Sequence, residues 1–412
     1  MNEVDATPQA GNAPWTCPFC PLLCDSFGVD IGPPGAPLAL TGSDCPRARG
    51  ALAHFSGEPV AARPQVDGRE GDIDSALAAA ASLLARSRQP LFGGLGTDVA
   101  GARALYALAC DTGAICDPAE GRSLMRSLRA LQDRGGFSTT LAEVRTRADL
   151  IVCMTEMPDA HYPEFFRRCG VGEREDLQVE DLPVHGDLFD TVALLAALVA
   201  GRIGTHESRV PAELVALSLR LREARYAVLV YEPGRLPAQG ALIIEGIQRI
   251  VATLNRSTRA ASLSLGGGDG AATVNQVFAW LSGLPLRSRA GPSGLEHEPL
   301  CFDAERLLAD GAVDMLLWVS SFGPEPAPPP AELPRIVLGH PGMRVPAAIA
   351  SNAGSVFIPV STPGIGAAGH LFRTDGSVLM PLRALYDDGL PSVGEVLLRL
   401  RQALHASRGG KQ

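Results

Sequence analysis

Asp149-Leu150-Ile151-Val152-Cys153-Met154 is an apolar run without in–out alternation. A strand with one face in water alternates polar and apolar side chains. An unbroken run suits a strand covered on both faces, as in a parallel sheet. The pattern recurs at Tyr226–Tyr231, Ala261–Leu265, Asp314–Val319, Ile336–Gly339 and Ser355–Val360, and in shorter form at Pro90–Gly94. Helical patterns lie between these runs. Asp72-Ile73-Asp74 precedes the Ala-rich stretch Ser75–Leu84, an N-capped start. Others are read at Val99–Ala109, Leu188–Ala200, Ala212–Arg225, Gly240–Leu254, Ala272–Leu281 and Asp303–Leu308. Alternating buried strands and helices predict doubly wound α/β layers.

A chain of 412 residues exceeds one comfortable core, so two or three domains are expected. A net charge of −9 argues against nucleic acid or an anionic membrane as partner. Met1-Asn2-Glu3-Val4-Asp5 has neither a basic nor an apolar signal region, and the longest apolar run, Val192–Ala200, falls short of the ~20 residues that span a bilayer. A soluble cytoplasmic chain is the expectation. Cys110, Cys116, Cys153, Cys169 and Cys301 show no paired spacing and read as core thiols.

The remaining four of the nine cysteines are organised differently. Trp15-Thr16-Cys17-Pro18-Phe19-Cys20-Pro21-Leu22-Leu23-Cys24 gives C-x₂-C-x₃-C, and Cys45-Pro46 follows on a returning segment. Three close thiolates can wrap one corner of a metal centre while a fourth closes it. The uneven spacing fits a [4Fe–4S] cluster better than a zinc ribbon, although tetrahedral zinc accepts the same set. Such spacing also survives the loss of any metal where the loop still packs.

Open α/β sheets bind ligands beyond the carboxyl ends of their strands. The loops placed there are Gly93–Thr97, Thr155–Asp159, Tyr231–Gly234, Gly266–Gly270 and Ser320–Gly323. None matches a dinucleotide fingerprint or a P-loop. Asp159-Ala160-His161 and Glu296-His297-Glu298 read as exposed loops, Glu173–Asp176 as a solvated face, and Pro324–Pro330 as a stiff surface loop.

With the cysteine set on α/β layers, the chain resembles the molybdopterin oxidoreductases and, more narrowly, the B subunit of formylmethanofuran dehydrogenase. Leu131-Gln132-Asp133-Arg134-Gly135 with Ala148–Val152 carries the narrower resemblance. So do Val274-Asn275-Gln276-Val277 with Trp280 and Gly283-Leu284-Pro285, then Ala304–Leu308 and Gly311–Asp314. Ile358-Pro359-Val360, Gly364-Ile365, Gly369–Arg373 and Asp375-Gly376 complete it. The resemblance implies a small cysteine lobe at 1–62, a discontinuous α/β domain at 63–118 and 266–412, and an inserted α/β domain at 119–265. A fourth, pterin-covering domain, which a complete redox core would carry, is not expected, since the sequence ends soon after Arg383. His370 and Arg373 fall where the active family approaches its pterin.

One position departs from the resemblance. The redox-active family places a metal-ligating cysteine, followed by a histidine, ten residues before the Gln-Asp pair. Here that place holds Ser123-Leu124, in Arg122-Ser123-Leu124-Met125. Cys116 lies two helical turns upstream if the segment is helical, a poor substitute. Molybdopterin or tungstopterin is therefore not expected. The chain is similar to the degenerate B-type subunit of the formyltransferase/hydrolase complex of methylotrophs. That similarity implies a structural role beside A-, C- and D-type subunits that move a formyl group from tetrahydromethanopterin to a furan carrier and release formate. The alternatives are an active molybdenum or tungsten dehydrogenase subunit ligating through Ser123, with Cys17, Cys20, Cys24 and Cys45 holding a cluster, and an electron-transfer module.

Overall fold

The computed structural model describes residues 14–204, 210–344 and 354–409; the N-terminal arm expected from the sequence falls almost wholly outside them. In chain order the first part runs β1 (Gly28–Asp30), β2 (Ala39–Thr41), α1 (Pro46–Leu52), β3 (Gln65–Val66), β4 (Arg69–Glu70), α2 (Ile73–Arg86), β5 (Pro90–Gly96), α3 (Val99–Thr112), β6 (Ile115–Pro118) and α4 (Gly121–Arg134). The middle runs α5 (Leu141–Arg147), β7 (Leu150–Cys153), α6 (Phe165–Arg168), β8 (Gln178–Asp181), α7 (Leu188–Val199), α8 (Ala212–Glu223), β9 (Tyr226–Tyr231), α9 (Gly240–Leu254) and β10 (Arg259–Ser264). The remainder is α10 (Ala271–Ser282), β11 (Ser288–Gly291), β12 (Gly294–His297), α11 (Ala304–Ala309), β13 (Met315–Ser320), β14 (Arg335–Gly339), β15 (Ser355–Pro359), β16 (Gly369–Phe372), β17 (Leu379–Leu382) and α12 (Val393–Gly409).

The chain divides into two compact units: residues 1–121, 267–373 and 379–412 in the first, and 122–266 with 374–378 in the second. The cysteine segment falls inside the first unit.

The first unit is built on a sheet of order β12-β11-β6-β5-β13-β14-β15-β3-β4. Strands β6, β5, β13, β14 and β15 pair in parallel, while β11–β12 and β3–β4 are antiparallel hairpins at its edges. The parallel strands β5, β13, β14 and β15 are buried along their whole length, as their unbroken apolar runs demand. Caps fix where the covering helices begin. Asp72 accepts from Ser75 N at 2.7 Å before α2, and Asp98 accepts from Gly101 N at 3.0 Å before α3. Ser392 and Glu395 form a reciprocal capping box before α12, with Ser392 N donating to Glu395 Oε2 at 2.7 Å and Glu395 N to Ser392 Oγ at 3.3 Å. The Pro-rich loop 324–330 is drawn inward rather than lying free, because Trp318 Nε1 donates to Pro326 O at 3.0 Å and Pro328 is buried.

The second unit holds an all-parallel sheet of order β10-β9-β7-β8. Its core packs Val152 and Met154 from the β7 segment and Leu229 and Tyr231 from β9 against Val192, Leu195, Leu217, Ile243 and Ile247 of α7, α8 and α9. Each such fully buried aliphatic side chain contributes about 1.5–3 kcal/mol. No described helix is long and apolar enough to cross a membrane.

Candidate functional site

The cysteine loop folds back on itself. Trp15 N donates to Phe27 O at 3.0 Å, Cys17 N to Cys24 O at 2.9 Å, and Leu23 N to Cys20 O at 3.1 Å. Leu23 turns the chain with a positive φ of 45°. Cys45 stands at the N-cap of α1, with Pro46 opening the helix. Arg47, one residue on, donates from Nε to Phe19 O at 2.6 Å and so pins the fourth cysteine's segment to the first three. Cys17, Cys20, Cys24 and Cys45 are all buried and free of disulfides.

Burial pushes the Cys17 thiol well up, and the neighbouring charges of Cys20, Cys24 and Cys45 add to this. The Cys20 thiol is raised by burial, against the pull of Arg47. Burial therefore favours the neutral thiol at Cys17 and Cys20 of the four cysteines. Their placement falls short of a ligand cage, since among the described residues no group of three or more His, Cys, Asp or Glu side chains is gathered to hold a metal ion.

In the first unit the strand order reverses between β5 and β13, because β6 lies to one side of β5 and β14 and β15 lie beyond β13. The carboxyl ends of strands at such a reversal are where open α/β sheets place their ligands. Three of the loops chosen from the sequence meet there. Ser321 N and Oγ both donate to Gly96 O, at 3.1 and 2.8 Å. Gly270, at φ +79°, lies so close to Thr97 that a Cβ would fall 2.8 Å from Thr97 N. The glycine loop also borders the cysteine loop: a Cβ on Gly268 would lie 3.6 Å from Pro21 Cδ and 3.8 Å from Arg47 Nη2. Asp269 is held beside Arg47, its carboxyl pushed up by burial.

The second unit repeats the device. Its sheet reverses between β7 and β9, and the loops Thr155–Asp159 and Tyr231–Gly234 meet there, with Glu232 N donating to Thr155 Oγ1 at 3.3 Å. Glu232 is 5% exposed and its Oε1 has no hydrogen-bond partner. His161 Nδ1 lies 3.6 Å from Glu232 Oε2, and Arg235 contacts the His161 ring. Burial raises the Glu232 carboxyl, opposed by His161 and Arg235. Asp159 and Ala160 are exposed as expected, but the 3₁₀ turn at Pro158–Ala160 carries the half-buried His161 onto a buried carboxylate. The missed signal was Glu232 itself, an acid directly after a buried strand.

Ser123 lies half-buried in the first turns of α4. Its Oγ stands 3.7 Å from the place of a Cβ on Gly234, in the turn after β9. Leu124 is half-buried and Met125 buried. Arg126 gives Nη1 to the carbonyls of Pro233 and Leu236, at 3.1 and 2.7 Å. Cys116 belongs to β6 and shares no helix with Ser123, so the helical spacing considered for the pair does not apply. Glu296-His297-Glu298 is likewise not a loop: Glu296 and His297 end the β12 hairpin, with Glu296 on Arg289 at 2.7 Å and His297 Nδ1 3.1 Å from Arg287 O. His370 is exposed on β16, while Arg373 just beyond it is buried.

No family model matches the chain. Among curated proteins it is 32% identical over 363 residues to the B subunit of the formyltransferase/hydrolase complex Fhc of Methylorubrum extorquens, covering 82% of this chain and 97% of that one. It is 25% identical over 413 residues to the B subunit of the tungsten-containing formylmethanofuran dehydrogenase 2 of Methanocaldococcus jannaschii, covering 90% and 93%. The Methanococcus maripaludis protein of the same description is 24% identical, covering 93% and 96%. Among solved structures, a chain of the formyltransferase/hydrolase complex of Methylorubrum extorquens, crystallised with methylofuran, superposes with a TM-score of 0.72 at 30% identity. The match covers 84% of this chain and 99% of that one. The α/β architecture is therefore molybdopterin-oxidoreductase-like, as expected from the sequence.

Proposed function

The chain belongs to the family of the B subunits of the formyltransferase/hydrolase complex Fhc, and from that premise we propose that it is the structural B-type subunit of such an assembly, without redox catalysis of its own. In this reading it binds and holds A-, C- and D-type partners. Those partners carry formyl transfer from tetrahydromethanopterin to a furan carrier and the hydrolysis that releases formate, in a cytoplasmic one-carbon oxidation.

The observation that carries the reading is the environment of Ser123. By the resemblance, this position belongs to a soft thiolate that grips molybdenum or tungsten, with an imidazole beside it. Here a hydroxyl stands on a half-buried helix face next to Leu124 and Met125. A serine must lose its proton to serve as a ligand, and the guanidinium of Arg126 is already spent on two backbone carbonyls. These residues do not fit a metal–pterin seat. At the other position, Cys17, Cys20, Cys24 and Cys45 are the residues that would hold a [4Fe–4S] cluster, whose chemistry is electron transfer. Their spacing in the sequence is what supports that assignment, and the structural role stands with or without the cluster.

Reconstitution of the partner subunits with and without this chain tests the proposal. The full set is expected to assemble, transfer the formyl group and release formate, while giving no formyl-dependent reduction of a viologen dye. Viologen reduction that requires this chain would overturn the reading, as would full assembly and activity in its absence.

A further inference from the structure

We propose that the second unit carries a small-molecule pocket of its own, on the face of its edge strand β10 between α4 and α9, that takes a neutral single-ring compound bearing hydrogen-bonding groups. A cavity of about 220 Å³ opens there. It runs beside Ser262 and Ser264 of β10, Tyr231 at the end of β9 and Gln248 in the middle of α9.

One wall is apolar. Leu124, Leu128 and Leu131 of α4 recur at a spacing of four and three, so they share one helix face, and Leu131 remains 55% exposed. The opposite wall is polar and already ordered. Gln248 Nε2 donates to Ser262 Oγ at 2.8 Å, and its Oε1 accepts from Phe137 N at 3.3 Å. The amide is therefore locked in one orientation. Burial pushes the Tyr231 phenol up, which keeps it neutral. A further hydroxyl, Ser127 Oγ on α4, is buried with no hydrogen-bond partner at all. Leaving a buried hydroxyl unsatisfied costs ~1–3 kcal/mol, a cost that a ligand group facing it would offset.

Charge and size narrow the ligand class. The lining offers hydroxyls, an amide and one carboxylate, Asp375. Both of its oxygens already accept from backbone N–H groups, Oδ2 from Leu141 at 3.2 Å and Oδ1 from Ser377 at 3.4 Å. An anion would thus lose its hydration and face this like charge, and a cation would have to compete with the backbone N–H groups already on both oxygens, so a neutral occupant fits best. A cavity of about 220 Å³ has room for one ring with a substituent. An apolar wall facing a few fixed polar groups is the usual composition of a small-ligand site.

Calorimetric titration of the full chain with benzamide, benzoate and toluene tests this independently of the subunit's role in the assembly. Benzamide is expected to bind saturably at one site per chain, with benzoate and toluene each at least tenfold weaker. Leu128→Trp, which fills the cavity, should abolish benzamide binding. Leu131→Trp, at the exposed rim and so without burden on folding, should weaken it at least tenfold. The absence of saturable benzamide binding to the native chain overturns the proposal. So does binding that Leu131→Trp leaves unchanged, or equal affinity for benzoate or toluene.

Discussion

At the scale of single residues, the most informative groups are those whose neighbours the sequence hid. Ser123 could be singled out because its surroundings are local: the Gln-Asp pair that locates it follows within the same helix. Arg287 could not. Its Nε donates to Asp117 at 2.9 Å and its Nη2 to Asp303 at 2.5 Å, with the Arg287 and Asp117 side chains almost completely buried. One partner lies 170 positions away in sequence, so no local pattern announces the triad. Asp117 and Asp303 are further held by the backbone N–H groups of Ala304 and Arg306, which ties β6 to the start of α11. Removing the cation would leave two carboxylates buried together. Arg287→Met is therefore expected to cost about 3–5 kcal/mol in denaturant unfolding. A loss below ~1 kcal/mol would show that the triad contributes nothing.

At the scale of elements, most buried strands were legible because a strand covered on both faces cannot hide its apolar run, whereas the four-residue β6, equally buried, carries Asp117 and was missed. The strands β8, β11, β12, β16 and β17 were not legible either. Gln178-Val179-Glu180-Asp181 of β8, for instance, is half polar because it closes an edge of its sheet. Helix α4 was read only conditionally, around Ser123, because its arginines break up the apolar stripe of Leu124, Leu128 and Leu131. The structure also explains two acids within the stretches that carry the family resemblance. Asp149, before β7, accepts from Arg225 N and Tyr226 N at 2.9 and 2.8 Å, fixing the start of β9. Asp314, before β13, accepts from Arg88 N and Gln89 N at 2.7 and 3.2 Å, fixing the start of β5. Both acids are register pins between neighbouring parallel strands.

Burial raises each of these two carboxyls, but the hydrogen bonds outweigh it and hold both below their ordinary value. Such a group stabilises the fold above the unfolded-state pKa of ~3.9, and that stability is lost as pH falls through the folded-state value. Asp149→Ala and Asp314→Ala are each expected to cost about 1.5–3 kcal/mol at neutral pH. The Asn variants should flatten the fall in stability below pH ~4. An acid limb as steep in both Asn variants as in the native chain would contradict the role.

At the scale of the whole molecule, the resemblance implies an inserted α/β domain at 119–265; by its own contacts the chain forms a compact second unit of 122–266 together with the short return 374–378. That return is invisible in sequence because five residues carry no periodicity. It is held by side-chain bonds such as Thr374 Oγ1 to Ser264 O at 2.9 Å and Leu141 N to Asp375 at 3.2 Å. Each unit has its own core, and the tryptophans, Trp15, Trp280 and Trp318, all lie in the first. Ile247→Ala, in the second core, should therefore cost about 2–5 kcal/mol in the far-ultraviolet circular dichroism transition while leaving the tryptophan fluorescence midpoint unmoved. Midpoints that shift together would show a single cooperative body. The claim that matters most concerns chemistry rather than stability, and elemental analysis of the purified native assembly addresses it most directly. The account predicts neither molybdenum nor tungsten, whether or not about four irons per chain mark a cluster at the cysteines; about one atom of either heavy metal per copy of this chain would contradict it.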